Sequence, residues 1–285
     1  MLKEKLIKKQ PFTNKLAIIT GGSKGMGKAT AKLFVQLGGN VCIVARTLET
    51  LNNAAREIEE FKVVDNQIVD VLSCDTSNSE QVQRLFTDYV KKRGVPEYLF
   101  NYVGISYPDY TEKLTIENFK FHMDTNFFGQ LNPIKTILPY LIEGRNGHII
   151  NMSSVAGFVG LMGYAAYTPT KFAILGLSEV LRNEYEPFNI NISVIFPPDT
   201  DTPGLHEEAE TRPEELNIIS EKRGGLLKPE DVAETILKGV LKKKFYIFPG
   251  SAKFMWRMMR FFPKLVHWVT DGDLKKARKK LGKDK

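Results

Sequence analysis

Short apolar runs alternate with longer amphipathic segments along most of this chain of 285 residues. Runs of four to eight nearly continuous apolar residues are typical of strands buried on both faces of a parallel sheet, and the longer segments have helical periodicity. The predicted strands are Leu16–Thr20, Asn40–Ala45, Gln67–Cys74, Tyr98–Asn101, His148–Met152, Asn191–Phe196 and Phe245–Phe248. The predicted helices are Met26–Leu37, Leu48–Phe61, Ser79–Lys92, Ile116–Leu141, Tyr164–Tyr185 and Pro229–Leu241. The alternation predicts one α/β domain with a doubly wound parallel sheet of about seven strands.

Composition excludes several classes of protein. The chain is 42% hydrophobic and 26% charged, which is typical of a globular protein. The two cysteines, Cys42 and Cys74, are too few for a disulfide scaffold or a multi-cysteine metal site, which favours a reducing compartment and no metal. No apolar window is long enough for a signal peptide or a membrane-spanning helix, so we expect neither.

The charge is unevenly distributed. Residues 251–285 hold eleven Lys and Arg against three Asp and Glu, whereas residues 16–250 hold 24 basic and 29 acidic side chains. We therefore divide the chain into a basic segment (1–13), a central α/β domain (14–250) and a basic tail (251–285). Within the domain, the polar segment 197–227 is expected to be a lid over the substrate. An acidic body argues against nucleic-acid binding.

A glycine-rich sequence, TGGSKGMG, spans Thr20–Gly27 between the first predicted strand and the first predicted helix. Glycines at this position let the backbone turn sharply and approach a pyrophosphate, which the helix N-terminus stabilises. The alternative is an ordinary strand-to-helix turn. Its place on the first βα turn favours nucleotide binding, by a Rossmann-type domain, through Gly21, Gly25 and Gly27.

The end of the second strand bears on which dinucleotide binds. An acidic residue there would bind the ribose 2′-hydroxyl of NAD, but the chain has Arg46. Together with Ser23 and Lys24, Arg46 offers cations and a hydroxyl to a 2′-phosphate. This favours NADP(H), although Arg46 and Lys24 would equally suit a solvated surface.

Tyr167 and Lys171 lie four residues apart, and Ser154 follows the fifth strand. A tyrosine and a lysine at this spacing share one helix face, so an ammonium group can lower the pKa of the phenol. The serine is placed to bind the same substrate oxygen. Behind a glycine-rich loop, this set predicts acid–base chemistry on a carbonyl or alcohol.

With these motifs the chain resembles the short-chain dehydrogenase/reductase family over about residues 14–248. The resemblance implies that Tyr167 is the general acid/base, that Lys171 also holds the nicotinamide ribose, and that Ser154 polarises the carbonyl. It further implies that Asn126, in MDTNFFG, holds a proton-relay water and that Asp75 contacts the adenine.

Two family motifs are altered in this chain. The family's Asn-Asn-Ala-Gly sequence reads Asn101-Tyr102-Val103-Gly104, so Asn101 and Gly104 are retained as cofactor contacts beside two bulkier residues. The usual Pro-Gly after the sixth strand is Pro197-Pro198, and Thr202 falls where the family contacts the nicotinamide carboxamide.

The segment PPDTDTPG, from Pro197 to Gly204, resembles a signature of one subfamily, the 3-ketodihydrosphingosine reductases. This implies NADPH-dependent reduction of a long-chain, lipid-like ketone, 3-ketosphinganine, to sphinganine. The alternatives are reduction of another lipophilic carbonyl (3-oxoacyl, steroid or retinoid) and a non-catalytic nucleotide-binding protein. The family also implies a homodimer or homotetramer.

The tail contains the amphipathic sequence FMWRMMRFFPKLVHWV, residues 254–269. On a helical projection, its cations and His267 share one sector, its apolar side chains lie opposite, and Trp256 and Trp268 flank the basic sector. This pattern suits a helix in a membrane interface, which would place the protein peripherally on the cytoplasmic side of a membrane, the endoplasmic reticulum in a eukaryote. The alternative is one helix, or two short helices divided at Pro263, packed on its own domain or on a partner subunit.

Overall fold

Parallel strands form a single sheet in the computed structural model of the protein, which describes residues 7–222 and 225–283. The strands are β1 (Leu16–Thr20), β2 (Asn40–Ala45), β3 (Val69–Ser73), β4 (Tyr98–Asn101), β5 (Gly147–Met152), β6 (Ile190–Ile195) and β7 (Tyr246–Ile247). Their order is β3-β2-β1-β4-β5-β6-β7. Since β2 and β4 flank β1, the strand order reverses there, and the carboxyl ends of these strands border the crevice where such sheets bind ligands.

Helices cover both faces of the sheet. They are α1 (Gly25–Gln36), α2 (Leu48–Glu59), α3 (Ser79–Arg93), α4 (Ile116–Met123), α5 (Gly129–Gly144), α6 (Thr168–Tyr185), α7 (Pro203–Ala209), α8 (Glu214–Lys222), α9 (Pro229–Leu241), α10 (Ala252–Phe261) and α11 (Pro263–Lys280). Successive strand residues point to opposite faces: Ile19 packs with Phe34 of α1, and Ile18 packs with Phe86 of α3. The predicted doubly wound α/β fold is confirmed.

One predicted helix, Ile116–Leu141, is interrupted. The five residues Asp124–Phe128 form a π-helical turn between α4 and α5. The apolar pattern continues across this turn, so the sequence predicted one helix. Such a turn inserts one residue into the helical repeat and often occurs at a functional site.

The segment 197–227, predicted as a lid, contains two helices among its described residues. The side-chain oxygen of Thr202 accepts a hydrogen bond from the backbone N–H of Leu205, and Pro203 is the first helical residue of α7. Helix α8 follows after a short turn and packs against α11 through Ile218, Ile219 and Ala277. The lid is therefore attached to the tail.

The tail forms two helices, which we call the tail helix pair: α10 and α11, separated at Pro263. Trp256 of α10 lies among four aromatic rings, with ring-centroid distances of 5.2 Å to Phe158, 5.5 Å to Phe196, 5.1 Å to Tyr246 and 5.7 Å to Phe248. Trp256 thus packs on the domain and does not flank an exposed basic face, because α10 docks on the end of the sheet.

Other parts of the tail stay exposed. The exposed aromatic side chains include those of Phe261 and Trp268, at 71% and 73%. Within residues 7–222 and 225–283, no helix is long and apolar enough to cross a bilayer. Of the predicted basic N-terminal segment, residues 1–6 lie outside the described residues, whereas Phe12 is fully buried and stacks on Phe34.

Candidate active site

The glycine loop between β1 and α1 is shaped by close backbone approaches. A Cβ atom on Gly27 would lie 2.3 Å from the carbonyl oxygen of Gly21, which no side chain tolerates. Gly21 and Gly25 have φ angles of +65° and +50°, in the left-handed region that favours glycine. These three glycines let the chain turn tightly from β1 into α1.

The N-terminus of α1 is open to an anion. Its N-cap residue, Lys24, makes no side-chain capping bond, and no acidic residue lies in the first turn. Helix N-terminal amides and the helix dipole stabilise a bound phosphate. The exposed side chains of Lys24 and Arg46 and the partly exposed Ser23 lie on the two βα connections that border the crevice. These residues fit the diphosphate and ribose of a dinucleotide.

Tyr167 and Lys171 lie at the start of α6, with Tyr167 as its N-cap residue. The Lys171 ammonium nitrogen is 5.4 Å from the centroid of the Tyr167 ring and donates a hydrogen bond of 3.1 Å to the carbonyl of Met152. Ser154 caps the short 3₁₀ helix after β5, and its hydroxyl interacts with the Tyr167 phenol. The structure therefore brings together the three residues that the sequence predicted.

Burial determines the protonation of this set. It raises the pKa of the Tyr167 phenol well above its ordinary value; the negative charge of Glu208 adds to this rise, and the bond to Ser154 opposes it. Burial also lowers the pKa of Lys171 to about 7. The Tyr167 shift comes from burial, Glu208, Ser154 and Asp199, and the lowering of the Tyr167 pKa by Lys171 stays a prediction. A protonated phenol is the form that donates a proton to a ketone oxygen.

Asn126 lies in the π-helical turn and is fully buried. Its side-chain oxygen accepts a hydrogen bond of 2.7 Å from the N–H of Ile105, and its amide nitrogen donates to the carbonyl of Ile105 and the hydroxyl of Thr170. Thr170 in turn donates to the carbonyl of Tyr167 at 2.7 Å. Asn126 thus holds the chain after β4 against the first turn of α6.

The other predicted cofactor residues divide into two groups. Gly104, Pro197 and Thr202 line the same cavity as Ser154, Tyr167 and Lys171. A Cβ on Gly104 would lie 3.1 Å from the Lys171 ammonium nitrogen, which explains a glycine there. Thr202 also touches the glycine loop, because a Cβ on Gly25 would lie 3.0 Å from its methyl group.

Asn101 and Asp75 are turned to other partners. The Asn101 side chain is fully buried and donates a hydrogen bond of 3.0 Å to Asn151, so it joins β4 to β5 and does not line the cavity. The Asp75 carboxylate accepts bonds from the backbone and hydroxyl of Ser77. Asp75 is partly exposed beyond the end of β3, and its adenine contact stays a prediction.

The cavity has a volume of about 760 Å³. Besides Ser154, Tyr167 and Lys171, it is lined by lid residues and by apolar side chains of the tail helix pair. The apolar lining from the tail comprises Phe254, Met255, Met258, Leu265, Val266 and Val269. Sequence reasoning missed this contribution, since an amphipathic pattern does not show what its apolar side will contact.

Comparison with known proteins agrees with this geometry. The family model for short chain dehydrogenases matches residues 15–213. A 3-dehydrosphinganine reductase of Danio rerio is 36% identical over 256 residues, covering 90% of this chain and 77% of the relative. A 3-ketodihydrosphingosine reductase of Bacteroides thetaiotaomicron is 29% identical over 274 residues, covering 92% and 96%.

Solved structures share the fold. Levodione reductase superposes with a TM-score of 0.78 at 23% identity, covering 86% of this chain and 98% of that one. A short chain dehydrogenase/reductase from Burkholderia phymatum, solved with NAD, gives 0.78 at 23% identity, covering 89% and 95%. The family match and the relatives, together with the glycine loop and the Ser154–Tyr167–Lys171 set, show that the chain belongs to the short-chain dehydrogenase/reductase family and is an oxidoreductase acting on a keto or hydroxyl group with a nicotinamide cofactor.

Proposed function

We propose that the protein reduces the C3 ketone of 3-ketosphinganine to sphinganine, using NADPH. The observation that carries the proposal is the cavity of about 760 Å³, in which the catalytic residues share one space with an apolar wall. A cavity of this size suits a lipid-sized substrate. The similarity to proteins named 3-dehydrosphinganine and 3-ketodihydrosphingosine reductase gives further support.

The bound nicotinamide supplies the hydride that adds to the ketone carbon. The hydroxyls of Ser154 and Tyr167 donate hydrogen bonds to the ketone oxygen, where negative charge develops. Tyr167 then passes its proton to that oxygen, which completes the alcohol, and the Lys171 ammonium stabilises the phenolate that remains. Asn126 positions the first turn of α6 and, in our proposal, the water through which Tyr167 regains a proton.

The test is turnover of 3-ketosphinganine by the purified full-length protein, compared with a 3-oxoacyl thioester and a steroid ketone. NADPH consumption with sphinganine as product supports the proposal. Faster turnover of the thioester or the steroid would assign the enzyme to another lipophilic carbonyl.

The preference for NADPH rests on Arg46, Lys24 and Ser23 and on the absence of an acidic side chain from Ala45–Thr47. A 2′-phosphate gains ion pairs and hydrogen bonds from these groups, whereas a free hydroxyl does not. We expect kcat/KM to be higher for NADPH than for NADH, and Arg46→Asp to reverse that order. Equal values for both cofactors in the wild type would contradict the assignment.

A membrane surface is the proposed partner of the exposed part of the tail. Phe261, Phe262 and Trp268 are exposed and lie outside the cavity lining. The neighbouring Arg257 and Lys264 are exposed cations, suited to anionic headgroups. We therefore propose a peripheral location on the cytoplasmic side of a membrane, the endoplasmic reticulum if the source cell has one.

Flotation with anionic vesicles tests this membrane contact. The double variant Phe261→Glu/Trp268→Glu is expected to stay with the soluble fraction. The matched control Val64→Glu replaces an apolar side chain that is 50% exposed elsewhere, and it is expected to float like the wild type. Unchanged flotation of the double variant would overturn the assignment.

A homodimer or homotetramer is the proposed assembly, through α4, α5 and α6. Exposed aromatic side chains on these elements, Phe121 on α4 and Phe172 on α6, support it. Light scattering is expected to give a dimer or tetramer mass. A monomer at micromolar concentration would contradict the proposal.

A further inference from the structure

The tail helix pair contributes six apolar side chains to the cavity lining. Phe254 and Met258 of α10 and Leu265 and Val269 of α11 all line the space that Tyr167 also lines. These tail residues lie outside the span 15–213 that the family model matches. The apolar wall thus lies outside the part of the chain that the family model matches.

Packing against the domain holds the apolar wall in place. Met255, Trp256, Met259 and Val266 pack with the cluster formed by Phe158, Phe196 and their neighbours. Ala252 and Ala277 are fully buried, Ala252 in that cluster and Ala277 against α8. Beyond α11, Lys283 pairs with Glu214 of α8 at 3.0 Å. The lining side chains are therefore presented by an anchored element.

The wall is incompletely covered. Phe254, Leu265 and Val269 line the cavity and are nevertheless 67%, 45% and 47% exposed. An apolar surface of this kind gains free energy when an apolar ligand displaces water from it. Besides Lys171, the charged lining residues, among them Glu207 and Glu208, come from the segment 197–227 and from Asp273, the last lining position of α11. The surface offered by the pair between Phe254 and Val269 suits an unbranched hydrocarbon.

We propose that the tail helix pair is the binding surface for the alkyl chain of the substrate, and that it sets the chain-length preference of the enzyme. The proposal rests on the proposed function, which supplies a ketone with one long saturated chain. The chain lies against Met258, Leu265 and their neighbours while the ketone lies at Ser154 and Tyr167. The tail is then a specificity element of the catalytic site.

The test uses a series of 3-keto bases of increasing chain length, delivered from cyclodextrin so that membrane binding does not contribute. For the full-length wild type, kcat/KM is expected to rise about fourfold for each methylene that becomes buried, until the cavity is filled. The double variant Met258→Asp/Leu265→Asp is expected to lose this dependence, so that its kcat/KM no longer rises with chain length. Both side chains are partly or largely exposed, so the fold is expected to persist.

The matched control is Phe261→Asp, on α10 but outside the cavity lining, and it is expected to keep the wild-type dependence. The same dependence in the double variant as in the wild type would overturn the inference. A second readout, affinity for saturated primary amines of increasing length measured by calorimetry, does not depend on turnover. If 3-keto bases are not reduced but this affinity depends on chain length and is lost in the double variant, the proposed function fails and the inference stands. If chain length leaves the wild-type affinity unchanged, the inference fails.

Discussion

The glycine loop and the tail helix pair serve the same cavity but are determined in different ways. In the loop, the backbone itself makes the close contacts, as in the 2.3 Å that a Cβ on Gly27 would leave to Gly21. In the tail, side chains make the contacts, and several apolar residues would fill each position. A loop fixed by backbone geometry permits few sequences, whereas an apolar wall permits many. The glycine loop can therefore be predicted from a sequence, whereas the apolar wall of the tail helix pair cannot.

The largest effect is expected from replacing Tyr167, the group at which the glycine loop and the tail helix pair meet. Tyr167→Phe deletes the proton donor, so kcat is expected to fall by about 10²–10⁴-fold. Binding of the cofactor to the loop and of the alkyl chain to the tail should stay near wild type. Stopped-flow turnover and cofactor titration measure the two quantities. Retained turnover would remove Tyr167 from the mechanism.

The loop is tested by Gly27→Ala. Its added Cβ cannot be accommodated beside Gly21 without moving the backbone, so cofactor affinity is expected to weaken by on the order of 100-fold, the upper range for a strained packing site. The control is Gly176→Ala in α6, where an added Cβ meets nothing within 4 Å. Fluorescence titration with NADPH compares them, and equal affinities would contradict the backbone argument.

The pH dependence of reduction tests the buried Lys171. Its pKa is lowered from 10.5 to about 7, so the ammonium is present below pH 7 and is lost as the pH rises through that value. Since reduction requires the charge that stabilises the phenolate, kcat/KM is expected to fall above about pH 7, approaching tenfold per unit. Lys171→Met should be slower and lack this limb. A wild-type profile that stays flat to pH 9 would contradict the assignment.

The last prediction concerns stability and compares the two tryptophans of the tail, one packed on the domain and one exposed. Trp256→Ala empties the space between four aromatic rings and is expected to lower the free energy of unfolding by about 3 kcal/mol. Trp268→Ala, at a 73% exposed position, should change it by less than about 0.5 kcal/mol. Urea denaturation measures both. Similar values for the two variants would show that α10 is not anchored as described.

The sequence predicted the strands to within two residues at each end, since buried parallel strands are continuous apolar runs. It also predicted Ser154, Tyr167 and Lys171, because their spacing is tied to one helix turn and one strand end. The sequence did not predict the π-helical turn that contains Asn126, since the apolar pattern of α4 continues into α5. It did not predict helices α7 and α8 either, because they are short and polar and depend on contacts with Tyr164 and the tail.

The tail shows the limit of periodicity most directly. The sequence pattern predicts a membrane-facing helix whose apolar side includes Phe254, Met258, Leu265 and Val269. In the structure, these four side chains line the cavity. The pattern is the same for a helix that faces lipid, a substrate or its own domain. Only non-local contacts, such as those of Trp256, distinguish these cases.

The two tryptophans of the chain lie in contrasting surroundings, and this gives the protein a built-in optical readout. Trp256, enclosed by aromatic rings, is expected to emit at short wavelength, and Trp268, largely in water, at long wavelength. With Trp268→Phe and Trp256→Phe as single-emitter variants, a blue shift from Trp268 alone would report contact with lipid. A change from Trp256 would report movement of α10 against the sheet. Unlabelled protein thus provides separate signals for the exposed side of the tail and for the docking of α10 on the sheet.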